Sequence, residues 1–454
     1  MLFSLFAATP LGGCAHYVPR PVQPRALLIT QPSYDSTRVK TEAARLAPGV
    51  ARDGIDALTL FAAALIYNPD IAVARSAIAT AEASAAASRI AAGPTLTLSS
   101  EYANDPSARS NWLLGAGIDM PLDIGERRAA RLTTAALKIE IARYDYAETV
   151  WNVRMSIRRA LAARVISLRQ SELLEPMLLL RERRLAAMQR RVNAGEVSRA
   201  ELERVRADLS DTSRRLSEAH AQMASNLAAL SALTGIPQVI LSAARLERAH
   251  FDGLEAAPRI ESELRTDALV GRADVLKAVA AYDIAEADLR GEVAKQFPAF
   301  TLSPGYTWER GLVKLPFSIG LVLPPLDLNQ HAIAAAETRR IEAGKRLESV
   351  LANARTALDS AVNEETASRQ ALGKVRSGEL ATALRLAQIA DNELQFGSID
   401  RTEWAAAQAG VALAQLSELD ALARVEAADA SLEDAARQPL RGPERAIQSI
   451  GLQR

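Results

Sequence analysis

Between Trp112 and Leu122, apolar residues alternate with small or polar ones. Trp112, Leu114, Ala116, Ile118 and Met120 share one side, and Leu113, Gly115, Gly117 and Asp119 share the other. Successive side chains of an extended chain point to opposite faces, so this period of two predicts a strand with one apolar face. The alternation returns over Lys314–Pro324, where Phe317, Ile319, Leu321 and Leu323 oppose Ser318, Gly320 and Val322. Each run has a partner just ahead of it, Thr95–Tyr102 and Ala299–Trp308. The loop of the first pair carries the turn string Asn104-Asp105-Pro106-Ser107. Strands of 8–11 residues have the length to cross a bilayer at a tilt. Leu114, Ile118, Met120, Phe317, Ile319 and Leu321 are the candidate membrane-facing residues. Tyr102, Tyr306 and Trp308 sit near strand ends or turns, as interfacial aromatics do. An ordinary soluble hairpin on a helical scaffold is the competing reading. Isolated hairpins are marginal in water, however, and nothing else in the chain completes a sheet.

The remaining pattern is helical. A helix is predicted from Leu58 to Ala92, with Asn68-Pro69 as a break near its start and Gly93-Pro94 as its end. After each hairpin comes a helix of unusual length. From Glu126 to Asn193 the only strong breaker is Pro176, and from Asn329 to Gln395 there is no proline. Each would reach roughly 100 Å, close to the depth of a periplasm. Gly195 and Gly397 end these helices by supplying a left-handed residue, and return helices are predicted over Arg199–Leu233 and Arg401–Ala436. Ser198 and Asp400 are placed as their N-caps, with Glu201 and Glu403 three residues on, as in capping boxes. Thr234-Gly235-Ile236-Pro237 closes the first return helix, and 238–262 reads as an irregular connector.

The order of elements is thus stated twice. Ala64–Tyr102 lies without a gap over Ala268–Tyr306, 204 positions on, with about a third of the positions identical. Pro121-Leu122-Asp123-Ile124 meets Pro325-Leu326-Asp327-Leu328 in the same register, which slips by two residues before Gly195 meets Gly397. A period near 200 is too long for a solenoid unit, so the chain is a duplicated half-structure, 53–237 and 263–437, with a tail at 438–454.

Composition agrees with long helices packed through small side chains. Aromatics are only 4% of 454 residues, and alanine is abundant. Formal net charge is zero, which gives no basic field for nucleic acid. No run approaches about 18 uninterrupted apolar residues, so no transmembrane helix is expected. The single cysteine, Cys14, follows an apolar run and Leu11-Gly12-Gly13. That resembles a bacterial lipobox, so residues 1–14 are taken as a lipoprotein signal peptide and Cys14 as the lipidated position. No Lys or Arg precedes the apolar run, so the positive n-region is missing. Ala15 follows the cysteine, which favours outer-membrane delivery, and the proline-rich 15–52 reads as an extended tether outside the core.

Catalytic chemistry is not apparent. His16, His220, His250 and His331 lack the spacing of a metal site, no Ser/His/Asp or Cys/His arrangement stands out, and no cofactor is expected. Gly115-Ala116-Gly117 is not continued into a GxGxxG or P-loop. Runs such as Arg181-Glu182-Arg183-Arg184 read as solvated helix faces.

Four strands per chain leave unpaired edges, which lipid does not tolerate, so a barrel must close with other copies. Three chains would give twelve strands and a lumen wide enough for solutes, and two a barrel filled by side chains. The ordered set of duplicated helix–hairpin–long-helix halves, paired Pro-Leu-Asp strand exits, glycine-turn tips and the Leu-Thr-Gly-x-Pro helix end resembles the TolC-type outer-membrane efflux protein family, over residues 55–437. The resemblance implies a mainly α fold with a small β contribution. It further implies a homotrimer with a twelve-stranded barrel in the outer membrane of a Gram-negative bacterium, continued by an α-helical barrel into the periplasm. It implies a passive exit duct for small molecules or metal ions, served by an inner-membrane pump and a periplasmic adaptor. The lipobox suits the lipoprotein members, and among branches the resemblance leans toward channels of resistance-nodulation-division pumps. Family tips dock on the adaptor, which carries over to Gly195, Val197, Ser198, Gly397, Ile399 and Asp400; the glycines match and the flanking residues match loosely. Glu403 stands where the family places an acidic periplasmic gate residue, while the second acid of that pattern is replaced by Ala406. A helix-start carboxylate supporting a cap is the other reading of Glu403. An exit channel for type I protein secretion and a soluble periplasmic coiled-coil scaffold remain as alternatives.

Overall fold

The structure, a computed structural model, describes residues 17–25, 33–48, 54–104, 107, 110–244, 269–309 and 311–440. Cys14 and parts of the connector and C-terminal tail lie outside them. The chain divides after Asp35, and the fold below belongs to the unit that begins at Ser36. Helix α1, Ser36–Leu46, falls inside the stretch expected to be an extended tether. It is not outside the core: Val39, Ala43 and Ala47 are buried, and Ala47 packs with Leu58, Phe61 and Val150. The proline content masked this, because the prolines of 15–52 flank the helix and none lies within it.

Ending four residues early, the helix expected over Leu58–Ala92 divides at the expected Asn68-Pro69 break into α2 (Ala57–Tyr67) and α3 (Pro69–Ser88). They meet at 52° on either side of Asn68. Pro69 has no N–H to give and occupies the first position of α3, while the Asn68 side chain accepts from the amides of Asp70 and Ile71. The Asn68 amide also donates to the carbonyl of Leu233 at 3.0 Å, which ties the bend to the far end of the first return helix. No single helix among the described residues is long and apolar enough to cross a membrane.

Two strands follow, β1 (Thr95–Tyr102) and β2 (Trp112–Pro121), and then α4, which runs 68 residues from Glu126 to Asn193 straight through Pro176. Helix α5 (Arg199–Thr234) returns along it. The expected irregular connector starts instead as a short helix, α6 (Gln238–Ala243), which buries Leu241. The second half repeats the order as α7 (Ala273–Ala294), β3 (Ala299–Glu309), β4 (Leu312–Lys314) and β5 (Phe317–Val322). The second long helix is unbroken from Gln330 to Gln395, as expected, but widens once. Helix α8 (Gln330–Lys374) passes into a π-helical segment, Val375–Leu380, before α9 (Ala381–Gln395) and the return helix α10 (Arg401–Ala436). Pro176 maps onto Gly378 or Leu380, depending on which side of the two-residue register slip is counted. Both halves therefore carry an irregular residue pattern at the same place, a proline with no N–H for the ladder within the unbroken α4 and a π turn in the second half.

Helix α4 is the spine: α3, α5, α7 and α10 all pack along it, and α8 lies on α7 and α10. The core is correspondingly a series of small clusters strung along helix seams. Leu174, Met177, Ala219 and Leu416 form one, Leu372, Leu419, Leu422 and Val425 another, and Leu358, Ala361, Leu432, Ala435 and Ala436 a third. Alanine at so many seam positions lets the helices approach closely, which accounts for a composition poor in aromatics.

Gly235 ends α5 with φ +69°, and a Cβ built there would lie 2.5 Å from Cβ of Tyr67. Gly397 has a similar φ of +71° but open space around it. Gly397→Ala is therefore expected to lose only the left-handed penalty of about 1–2 kcal/mol. Gly235→Ala should lose that and an overpacking cost of about 1–3 kcal/mol besides. Denaturant unfolding of the two purified variants checks the order.

Candidate functional site

The strands form one antiparallel sheet in the order β1-β2-β3, with β5 and β4 both paired to β3. The two halves of the duplication meet at β2–β3, where Leu114 opposes Trp308, Ala116 opposes Tyr306 and Met120 opposes Leu302. Directly opposed residues share a face. The register thus joins Leu96 and Leu98 to Ile118 and Ala116, and Leu302 and Phe300 to Ile319 and Leu321. All six candidate membrane-facing residues fall on this one face. Phe317 and Ile319 are 64% and 63% exposed, Leu114, Ile118 and Leu321 are also exposed, and Met120 is half-buried. Leu96, Leu98 and Phe300 belong to the same apolar face and went unselected, although their alternation with Thr95, Thr97 and Thr301 carries the same signal.

The opposite face holds Thr97, Ser99, Gly115, Gly117, Asp119, Ser303, Gly305, Ser318 and Gly320. Ser303 donates to the Asp119 carboxylate across β2 and β3 at 2.5 Å. Small residues here have a packing reason as well: a Cβ at Gly305 would come within 3.1 Å of Pro316. The strand expected over Lys314–Pro324 starts earlier and is split at Leu315-Pro316 into β4 and β5. Proline cannot donate to a ladder, so pairing lapses there and the Gly305 amide takes the Pro316 carbonyl instead.

Side chains at the strand exits fix the sheet to the helices. Arg127, in the first turn of α4, donates to the carbonyls of Ala294, Lys295 and Phe297 at and just past the C-terminal end of α7. Arg131 bridges the Ser88 carbonyl and Asp123 of the Pro-Leu-Asp exit, and its guanidinium holds that carboxyl below the usual range. In the second half Asn329, itself left-handed at φ +61°, donates to the backbone and side chain of Glu292. These joints were not read from the sequence, where Arg127 and Arg131 look like ordinary charges on a helix start.

At the far end the two tips have the same backbone. Glu196 and Ser398 amides reach back to Arg191 and Glu393 carbonyls at 2.9 and 2.8 Å, and the Gly195 and Gly397 amides to Val192 and Leu394. This is the glycine-terminated pattern that closes orphan carbonyls. Ser198 accepts from the Glu201 amide, and Asp400 from the amides of Thr402 and Glu403. The Glu403 amide, and less so that of Thr402, lowers the Asp400 carboxyl from its ordinary value. Of the six tip residues, Gly195, Ser198, Gly397 and Asp400 are exposed, while Val197 and Ile399 are half-buried and Val197 packs on Met188, Leu202 and Val205. The Glu403 side chain is exposed one turn into α10. Its neighbour Trp404 donates to Asp391 at 2.6 Å, as does Gln408 at 3.1 Å, which pins α10 to α9 just behind the tip. Among the described residues no group of three or more His, Cys, Asp or Glu side chains is arranged to hold a metal ion.

Comparison with known proteins gives a consistent result. The outer membrane efflux protein family matches residues 60–236 and 264–436, once for each half. Cobalt-zinc-cadmium resistance protein CzcC of Cupriavidus metallidurans is 24% identical over 299 residues, 64% of this chain and 69% of that one. Among solved structures, CusC superposes with a TM-score of 0.69 at 18% identity, over 86% of this chain and 95% of its own. The outer membrane protein VceC of Vibrio cholerae gives 0.68 at 17% identity, over 85% and 97%. With both halves matched, the chain belongs to the outer membrane efflux protein family.

Proposed function

We propose that three copies of this chain pool their sheets into a twelve-stranded barrel in the outer membrane and their helices into a tube across the periplasm. Through it, metal ions or small molecules delivered by an inner-membrane pump and a periplasmic adaptor leave the cell passively. The observation that carries this reading is the continuous apolar face of a sheet whose outer strands, β1 and β5, have no further strand to pair with among the described residues. Such a sheet suits lipid only when other copies close it. The likeness to CzcC favours divalent metal ions of the cobalt, zinc and cadmium kind as the cargo. Gly195, Val197, Ser198, Gly397, Ile399 and Asp400 form the adaptor-docking tips in this reading, and Cys14 carries the lipid anchor. Glu403 contributes one carboxylate per chain to a ring at the periplasmic mouth. No catalytic step is proposed, since each part has a role in forming or closing a passage.

A strain lacking the chain should become more sensitive to cobalt, zinc or cadmium. Drug sensitivity without metal sensitivity moves the cargo to small molecules, and no change in either overturns the duct. On the apolar face, Ile319→Arg is expected to disfavour membrane assembly by about 2–4 kcal/mol at the bilayer midplane. Ser318→Arg, on the polar face, should still assemble as trimers. Semi-native electrophoresis of outer-membrane fractions separates the two, and equal loss for both would remove the membrane role of that face. Glu403→Gln is expected to weaken cation preference in planar-bilayer conductance, because three like charges are removed from one constriction; unchanged ion selectivity would leave Glu403 as a capping carboxylate only.

A further inference from the structure

Half-way along the tube, α4, α8 and α10 enclose a group of charges that the passage of solutes does not explain. Glu426, Asp429 and Glu433 lie three and four residues apart on one face of α10, and none is more than 3% exposed. Arg154 of α4 reaches Glu433 at 3.3 Å, and Arg158, also of α4, pairs with the other oxygen of Glu433. Arg369 of α8 holds Asp429 at 3.1 Å and pairs with Glu365 on its own helix. Every guanidinium is thus committed to a carboxylate other than Glu426. Arg158 is its nearest cation, 3.9 Å from one carboxyl oxygen, and the second oxygen is buried without a hydrogen bond. Three guanidiniums face four carboxyls, of which only Glu365 keeps some contact with solvent, so full ionisation leaves one surplus negative charge among groups that are mostly buried. Such a charge is costly, and the group with the poorest partners is the one that takes up a proton.

We propose that the seam joining the first hairpin to the second is a proton-dependent latch, closed while Glu426 is protonated and loosened when it ionises. Every element packed there supports the assignment. From α4 come Arg154 and Arg158, from α8 Arg369 and Glu365, and from α10 itself Asp429 and Glu433. The next ionic layers, Arg437 and Arg159 with Glu148 and Asp434 above and Arg376 with Glu418 below, are paired among themselves. Burial pushes the Glu426 carboxyl up to about 7 against the pull of Arg158, and pushes Asp429 to about 6 against Arg369. The sign follows. Between its free value of 4.5 and about 7, the packed seam holds a proton that the open seam releases. Packing is therefore strongest below that window and weakens as pH rises through it. Asp429 adds in the same direction over a lower window, from 3.8 to about 6.

The test is hydrogen exchange across residues 419–433 in the full-length protein in detergent, with each rate divided by the intrinsic rate at its pH. From about pH 5 to about pH 8 the opening equilibrium of wild type should rise, with Glu426 alone contributing up to about 10²-fold between pH 5 and about 7. In Glu426→Gln, neutral at every pH, the part of that rise above about pH 6 should disappear. A flat wild-type profile, or an undiminished slope in Glu426→Gln, overturns the latch. Should the variant fail to fold, infrared spectroscopy of wild type decides: a protonated-carboxyl band must be present near pH 6 and lost by about pH 8, and its absence at the lower pH also overturns the latch. Because the readout is the packing of the chain and not efflux, its outcome is independent of the cargo.

Discussion

The backbone amides and carbonyls at the two margins of the sheet are the constraint on which the rest depends. Among the described residues β1 has a partner only in β2 and β5 only in β3, so each presents one row open for pairing. Water would satisfy those rows, but the apolar face from Leu96 to Leu321 is suited to a solvent that cannot. An apolar face and an open edge are mutually tolerable only where the edge is covered, and a second copy of the same sheet covers it with no new chemistry. The helices then have to continue whatever closure the strands impose. Arg127, Arg131 and Asn329 transmit it, because each ties a strand exit to the end of a neighbouring helix through backbone carbonyls, a contact that leaves little angular freedom.

Where local chemistry decided a feature, the sequence was enough to read it. Alternation placed the strand expected over Trp112–Leu122, which ends at Pro121, with Thr95–Tyr102 as its partner; glycine and its capping partners placed both tips, and Thr234-Gly235-Ile236-Pro237 placed the end of α5. Features decided by a distant partner were not legible. The break at Leu315-Pro316 depends on which strand lies opposite, and the buried helix over Ser36–Leu46 depends on α2 and on Val150 of α4. Glu426 is the sharpest case: in Arg424-Val425-Glu426-Ala427 it reads as a solvated charge like many others, and only the closeness of α4 and α8 makes it a buried acid. Of the candidate site residues, the shared apolar face of Leu114, Ile118, Met120, Phe317, Ile319 and Leu321 followed from period alone. Val197 was read as a docking residue, yet its packing on Met188 and Leu202 also gives it a part in holding the tip together.

Buried ion pairs are weak evidence for stability, since desolvation offsets much of their attraction. Their position here gives them a different role. The seam around them is lined by Ala421, Ala428, Ala430, Ala435 and Ala436, residues nearly interchangeable along a helix. An alanine seam resists sliding poorly, because a shift by one turn replaces one small residue by another. Guanidinium–carboxylate pairs at defined heights, Arg154 and Arg158 with Glu433 and Arg369 with Asp429, penalise any such shift by leaving charges unpaired in the interior. Register is what they specify.

That role bears on the two irregular turns. A helix near 100 Å long must curve to follow a tube, and sharp departures from straightness arise where the i→i−4 ladder is interrupted, by proline or by a π turn. Pro176 and Val375–Leu380 occupy equivalent places in the two halves, and the residues beside them converge on one stretch of α10. Leu174 and Met177, flanking Pro176, pack on Leu416, while Leu372 and Val375 pack on Leu419 and Leu422. Arg376 and Glu379 within the π segment bond Glu418 and Ser417 from the same side. The interrupted ladders of both long helices are thus braced by a single continuous return helix, and the charged seam begins about two turns further along it. The two irregular turns share one short zone, with the glycine tips on one side of it and the charge-held register on the other.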